Sequence, residues 1–188
     1  MNENLVLSQT RVEHRAITKI VGTLAFTLLT IASAHIRIPL PFTPVPMTLQ
    51  TFVVPLAGGF LGVAWGSLSM ALYLALGMIG LNVFASAAPG MSFYLSPTAG
   101  YLIGYVFAAA IVGMFRNSSK ALLFLAVILS HIVIFVCGVF GLMWNLNLAL
   151  PVAFAKGVAP FIVGDSLKIV ASFLVLISVN PNRSSEKT

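Results

Sequence analysis

The chain has 188 residues, of which 59% are hydrophobic and only 7% charged, with a mean hydropathy of +1.04 and a formal net charge of +6. A soluble domain carries about 25% charged residues, so this composition excludes a water-facing globule and makes lipid the main solvent. The basic residues are spread along the chain rather than gathered on one stretch, which disfavours nucleic acid as a partner and points to membrane topology.

In chain order, Arg11, Arg15 and Lys19 precede an apolar run, and Ala32-Ser33-Ala34 has the small residues of a signal cleavage site. The run from Ile20 to Ile36 is longer than the apolar core of a signal peptide and leads into more membrane sequence, so it is expected to remain as helix 1, over 17–36. Pro39, Pro41, Pro44 and Pro46 then forbid a continuous helix and favour a stiff, extended connection. The apolar stretch from Met47 to Gly80 would rise about 50 Å as one helix. It is expected to break at Gly58, Gly59 and Gly62 into helices over 48–58 and 62–80. A polar stretch follows from Asn82 to Pro97, with a turn signal at Pro89-Gly90. Helices are expected over 98–115, 121–144 and 160–179, with a mixed segment holding Asn145, Asn147, Pro151 and Lys156 before the last. The expected fold class is all-α: one transmembrane domain over 1–188, an integral membrane bundle of six transmembrane helices.

Six spans put both termini on one side, and the charges agree. Arg11, Arg15, Lys19, Arg116, Lys120, Arg183 and Lys187 fall on that side, leaving Arg37, Lys156 and Lys168 for the other. Basic residues favour the cytoplasm, so both termini are expected inside, in the plasma membrane of a prokaryote. Gly62, Gly66 and Ser69, then Gly100 and Gly104, form small-residue faces suited to close helix packing in lipid. Cys137 is the single cysteine, which excludes an intrachain disulfide and reads as a small buried hydrophobe.

Glu3, Glu13 and Glu186 lie in the tails, so Asp165 is the only acid associated with the bundle, and Lys168 follows at i+3 on the same helix face. An ionised group costs about 2.5–3.5 kcal/mol at a helix centre on insertion scales. A structural ion pair explains the two charges, but intramembrane charges mark functional sites by default, so a polar ligand site in the outer half of the membrane is expected here. Gln50, Asn82, Phe93, Tyr94 and Trp144 fall at a similar depth. Together they describe apolar walls with a few fixed polar groups, the make-up of a small-molecule site. His35 and His131 read as packing residues bonded to a neighbouring helix rather than as proton carriers.

The sequence carries no phosphate-binding loop, no H-E-x-x-H, no Cys/His cluster and no paired acids, and no internal repeat is evident. ATP hydrolysis by a phosphate-binding loop, metalloprotease chemistry and acid-rich metal-dependent transfer are thereby disfavoured, and no metal site is expected. A stand-alone ion-coupled transporter is the second reading, and an intramembrane enzyme the third.

PFTPVPMTLQT (Pro41 to Thr51), GLNVF (Gly80 to Phe84), SPTAGYLIGY (Ser96 to Tyr105) and PFIVGDSLK (Pro160 to Lys168) occur in this order along the chain. This ordered set resembles the BioY family, the biotin-specific S components of energy-coupling factor transporters. The resemblance implies a compact six-helix fold, a biotin pocket near the outer face, and a lid made by the connection between the first two helices. It implies no cofactor, only biotin as the transported ligand. It also implies a transmembrane coupling subunit and two cytoplasmic ATPase subunits as partners. In such a pocket Asp165 and Asn82 would face the ureido group, and Lys168 either the carboxylate or the ureido oxygen. S components often dock through an Ala-x-x-x-Ala stripe on helix 1. This sequence departs from that pattern, offering Thr18 and Gly22, or Thr23 and Thr27.

Overall fold

A computed structural model describes residues 3–85 and 90–179. Pro89, Arg183, Glu186 and Lys187, singled out in the sequence, lie outside the described residues. Six long helices make up the bundle: α1 (Glu3–His35), α2 (Gln50–Leu61), α3 (Val63–Met78), α4 (Ala99–Met114), α5 (Lys120–Leu146) and α7 (Ile162–Val179). A short helix, α6 (Leu150–Gly157), precedes α7 and was not expected. Pro151 of the preceding mixed segment occupies the first turn of α6, where a missing N–H costs nothing.

Three segments are long and apolar enough to cross a membrane, Ala16–His35, Lys120–Leu146 and Leu150–Val179. The helices α2, α3 and α4 are apolar but shorter. At 12 residues α2 rises only about 18 Å, short of a hydrocarbon core of about 30 Å. It is buried on nearly every face, so neighbouring helices rather than lipid surround it, and its backbone ends meet protein.

The break between α2 and α3 falls at Gly62 alone. Its φ of +84° is open to glycine and costly for other residues. The expected breakers Gly58 and Gly59 lie inside α2 and serve packing instead: a Cβ on Gly58 would sit 2.1 Å from the Ala109 carbonyl oxygen of α4. Close backbone approach of this kind substitutes for the hydrophobic drive that is missing between helices in lipid. At this end of the bundle Lys19 Nζ donates to the Leu61 carbonyl (2.8 Å), and Arg116 Nη1 to that of Phe60 (3.3 Å). Two cations from α1 and from the turn after α4 thus cap the C-terminus of α2, where the helix dipole is negative.

At the opposite end the proline-rich connection folds back as a hairpin. Its strands β1 (Arg37–Ile38) and β2 (Met47–Thr48) pair antiparallel, Arg37 opposite Thr48. Thr43 Oγ1 ties the tip of this hairpin to the Lys156 carbonyl at the end of α6 (2.8 Å). On α1, Thr23 and Thr27 are buried, and Thr27 Oγ1 donates to the Ser69 carbonyl of α3 (3.0 Å). Those two small residues are consumed inside the bundle, and the outward face of α1 carries Ile17, Ile20, Val21, Leu24 and Leu28.

Candidate functional site

A cavity lies beneath the hairpin, about 480 Å³ when its mouth, open to solvent, is counted. Val45 and Pro46 of the hairpin, Tyr101, Leu102 and Tyr105 of α4, Phe135 of α5 and Phe161 before α7 supply its largely apolar wall. Its polar groups come from few places. Thr48, Gln50 and Thr51 stand where β2 turns into α2, Thr98 stands at the start of α4, and Asp165 and Lys168 stand on the first two turns of α7.

The last two form an ion pair with 2.9 Å between Lys168 Nζ and Asp165 Oδ1. Thr51 closes a three-membered ring: its hydroxyl donates to Asp165 Oδ1 and accepts from Lys168 Nζ at 3.0 Å. Asp165 is 3% exposed, and a carboxylate buried to that depth needs such partners to offset its lost hydration. Among the described residues, both bonds fall on Oδ1, which leaves Oδ2 as unused acceptor capacity on a residue that lines the cavity. Lys168 likewise retains one of its three N–H groups. The site therefore offers an anionic acceptor and a cationic donor side by side, at the end of an apolar slot.

Tyr101 and Tyr105 lie one turn apart on α4, so both rings reach the same wall. Tyr101 Oη donates to the Gly157 carbonyl (2.8 Å), which anchors α6 against the bundle and fixes the ring as a wall.

Of the seven residues singled out from the sequence, Gln50, Asp165 and Lys168 are brought together on this cavity. Asn82 is exposed in the loop after α3, three residues before Ala85, which does line the cavity. Phe93 is 1% exposed but sits in an aromatic stack between Phe84 and Tyr94, with ring centroids 5.2 and 4.3 Å away. Tyr94 and Trp144 line a separate open groove between α4 and α5. Trp144 is 89% exposed there, as an interfacial belt residue would be. Sequence reasoning passed over Thr51, Tyr101, Tyr105 and Phe161, although each lies inside one of the quoted motifs. His131 bonds through Nδ1 to the Val127 carbonyl of its own helix (3.0 Å), not to a neighbouring helix as expected, and His35 is exposed.

The model of the BioY family matches residues 4–185. The biotin transporter BioY of Thermotoga maritima is 35% identical over 154 residues, covering 81% of this chain and 89% of that protein. The probable biotin transporter BioY of Pyrococcus horikoshii is 36% identical over 151 residues, covering 80% and 88%. Among solved structures, the S-component for biotin from an ECF-type ABC transporter superposes with a TM-score of 0.81 at 25% identity, over 97% of this chain and 95% of that one. The match runs through the hairpin, α4 and α7, the same elements that build the cavity, and the chain belongs to the BioY family.

Proposed function

We propose that this protein is the high-affinity biotin-binding S component of an energy-coupling factor uptake transporter. The observation that carries the reading is the Asp165–Lys168–Thr51 ring at the end of an apolar slot. Biotin has an apolar thioether bicycle, two ureido N–H donors, a ureido oxygen and a carboxylate on a flexible chain. The aromatic and aliphatic wall buries the bicycle, Asp165 Oδ2 accepts from a ureido N–H, and the free N–H of Lys168 meets an anionic or carbonyl oxygen. Gln50 and Asn82 supply further polar contacts, Asn82 from the loop after α3, three residues before the cavity-lining Ala85. The relatives named above are called biotin transporters, which supports biotin over other vitamins of similar size. The hairpin serves as the lid, because Val45 and Pro46 form part of the cavity wall and the Thr43 bond holds its tip down. The role is transport, not catalysis.

The orientation follows from charge. Lys19 and Arg116 meet at the Gly62 end of the bundle, whereas Arg37 and the cavity lie at the other, so the positive-inside rule puts the Gly62 end and both termini in the cytoplasm. The cavity then opens toward the outside, as an uptake system requires. The chain carries no phosphate-binding loop, and its likeness to the S-component of an ECF-type ABC transporter supports two partner ATPase subunits that act through a membrane coupling subunit. Its surface on this chain is the apolar outer face of α1, since Thr23 and Thr27 face inward. Reconstituted uptake tests the reading. Vesicles with the coupling subunit, both ATPases and ATP accumulate biotin, and omitting the ATPases abolishes accumulation. Accumulation driven by an ion gradient, with this chain alone, contradicts the reading in favour of an ion-coupled transporter.

A further inference from the structure

A file of hydrogen bonds runs sideways from the cavity into the core, away from the charged ring. Thr48 Oγ1 lies 3.3 Å from Gln50 Oε1, Gln50 Nε2 lies 2.8 Å from Tyr73 Oη, and Tyr73 Oη lies 3.3 Å from the Val83 carbonyl oxygen. A carbonyl only accepts, so Tyr73 gives its single proton to Val83 and receives one from Gln50. That assignment sets the Gln50 amide: nitrogen toward Tyr73, oxygen toward the Thr48 hydroxyl. One Gln50 N–H is left over, on a residue that lines the cavity.

Tyr73 does not line the cavity. It is fully buried in α3, with its ring edge-on to Phe84 (centroids 5.5 Å apart, planes at 83°). A phenylalanine would fill this apolar space equally well, so packing alone gives no reason for the hydroxyl. The hydroxyl reaches two places instead. One is the amide of Gln50, where the lid strand becomes α2. The other is the backbone of Val83, between Asn82 and the cavity-lining Ala85. The terminal torsion of a glutamine is broad and roughly two-fold, so an untethered Gln50 would offer the cavity its oxygen or its nitrogen in turn. Ordering it only when ligand arrives lowers affinity.

We propose that Tyr73 is a positioning residue of the ligand site, acting through Gln50 by holding its amide in one orientation and tying it to the loop at Val83. The inference rests on the biotin-binding reading above and deepens it. It places a determinant of affinity in the core, one side chain behind the cavity surface.

A double-variant cycle read by calorimetric titration with biotin tests it, on the parent, Tyr73→Phe, Gln50→Met and the combined variant. Tyr73→Phe weakens biotin binding by about threefold to tenfold, the equivalent of one neutral hydrogen bond. In the Gln50→Met background the same change produces no further loss. Phe84→Leu disturbs the packing of the Tyr73 ring while leaving its hydroxyl in place. It lowers the melting temperature without reproducing the dependence on Gln50. Unchanged affinity in Tyr73→Phe overturns the inference, as does an equal loss in both backgrounds. A Tyr73→Phe protein that does not fold assigns the hydroxyl to the fold and also overturns it. If the parent itself does not bind biotin, the underlying reading fails first and the inference falls with it.

Discussion

Lys168 Nζ stands 2.9 Å from Asp165 Oδ1 and 3.0 Å from Thr51 Oγ1, so a charge pair on α7 is bolted to the first turn of α2. The ring couples binding to stability, because each member satisfies a group that would otherwise be buried without a partner. Asp165→Asn keeps the shape and removes the anionic acceptor. A hydrogen bond to a charged group contributes about 1.5–3 kcal/mol, so biotin affinity is expected to fall by about one to two decades. Titration of Asp165→Asn checks this. The companion double variant, Asp165→Asn with Lys168→Met, regains thermal stability because no lone cation remains, but does not regain binding. Parent-like affinity in the double variant would show the pair to be structural only.

Thr51 occupies a position whose loss separates the two roles. Thr51→Val keeps the volume and removes the hydroxyl that bonds both charges. Loss of those bonds costs about 1–3 kcal/mol of stability, seen as a lower melting temperature in detergent. Affinity falls less than in Asp165→Asn, since the carboxylate remains and only its orientation loosens. An equal or larger affinity loss in Thr51→Val would mean that the hydroxyl contacts the ligand itself.

Much of this was legible in the sequence for a physical reason. Charges in a membrane are expensive, so Asp165 and Lys168 stand out against an apolar background without any alignment. A hydroxyl carries no such penalty, and Thr51 looked like any other helix residue until the fold set it against α7. Trp144 and Tyr94 illustrate the opposite difficulty. An aromatic residue near the interface suits a ligand pocket and a lipid belt equally, and only the packing of α4 on α5 placed these two in a groove apart from the cavity. The turn between α2 and α3 was legible to within a few residues, but its position was not. Glycine serves both as a breaker and as a contact surface, and Gly58 and Gly62 divide those two tasks.

The Gly58 contact yields a stability prediction independent of ligand. Gly58→Ala puts a methyl group against the Ala109 carbonyl, where a Cβ would lie 2.1 Å away. Because the obstacle is backbone, α2 and α4 must separate, at a cost of about 1–3 kcal/mol. Thermal unfolding in detergent should show the loss, and Val54→Ala in the same helix provides the comparison for an ordinary cavity. An unchanged melting temperature would mean that the two helices shift apart freely.

Sidedness has its own test. With Cys137 replaced by Ala, a cysteine at Phe42, exposed on the hairpin, reacts with an impermeant reagent added to intact cells. One at Leu5 does not react until the membrane is opened. The reverse pattern would invert the bundle and turn the cavity toward the cytoplasm.

Binding of biotin in the cavity beneath the hairpin is expected to depend on Asp165. Calorimetric titration of the purified parent and of Asp165→Asn, each with biotin and with other vitamins of similar size, tests it most directly. The parent should bind biotin tightly and saturably, the other vitamins should give no comparable heat, and Asp165→Asn should bind biotin at least about tenfold more weakly. Equal affinity in the two proteins, or preference for a different vitamin, would contradict it.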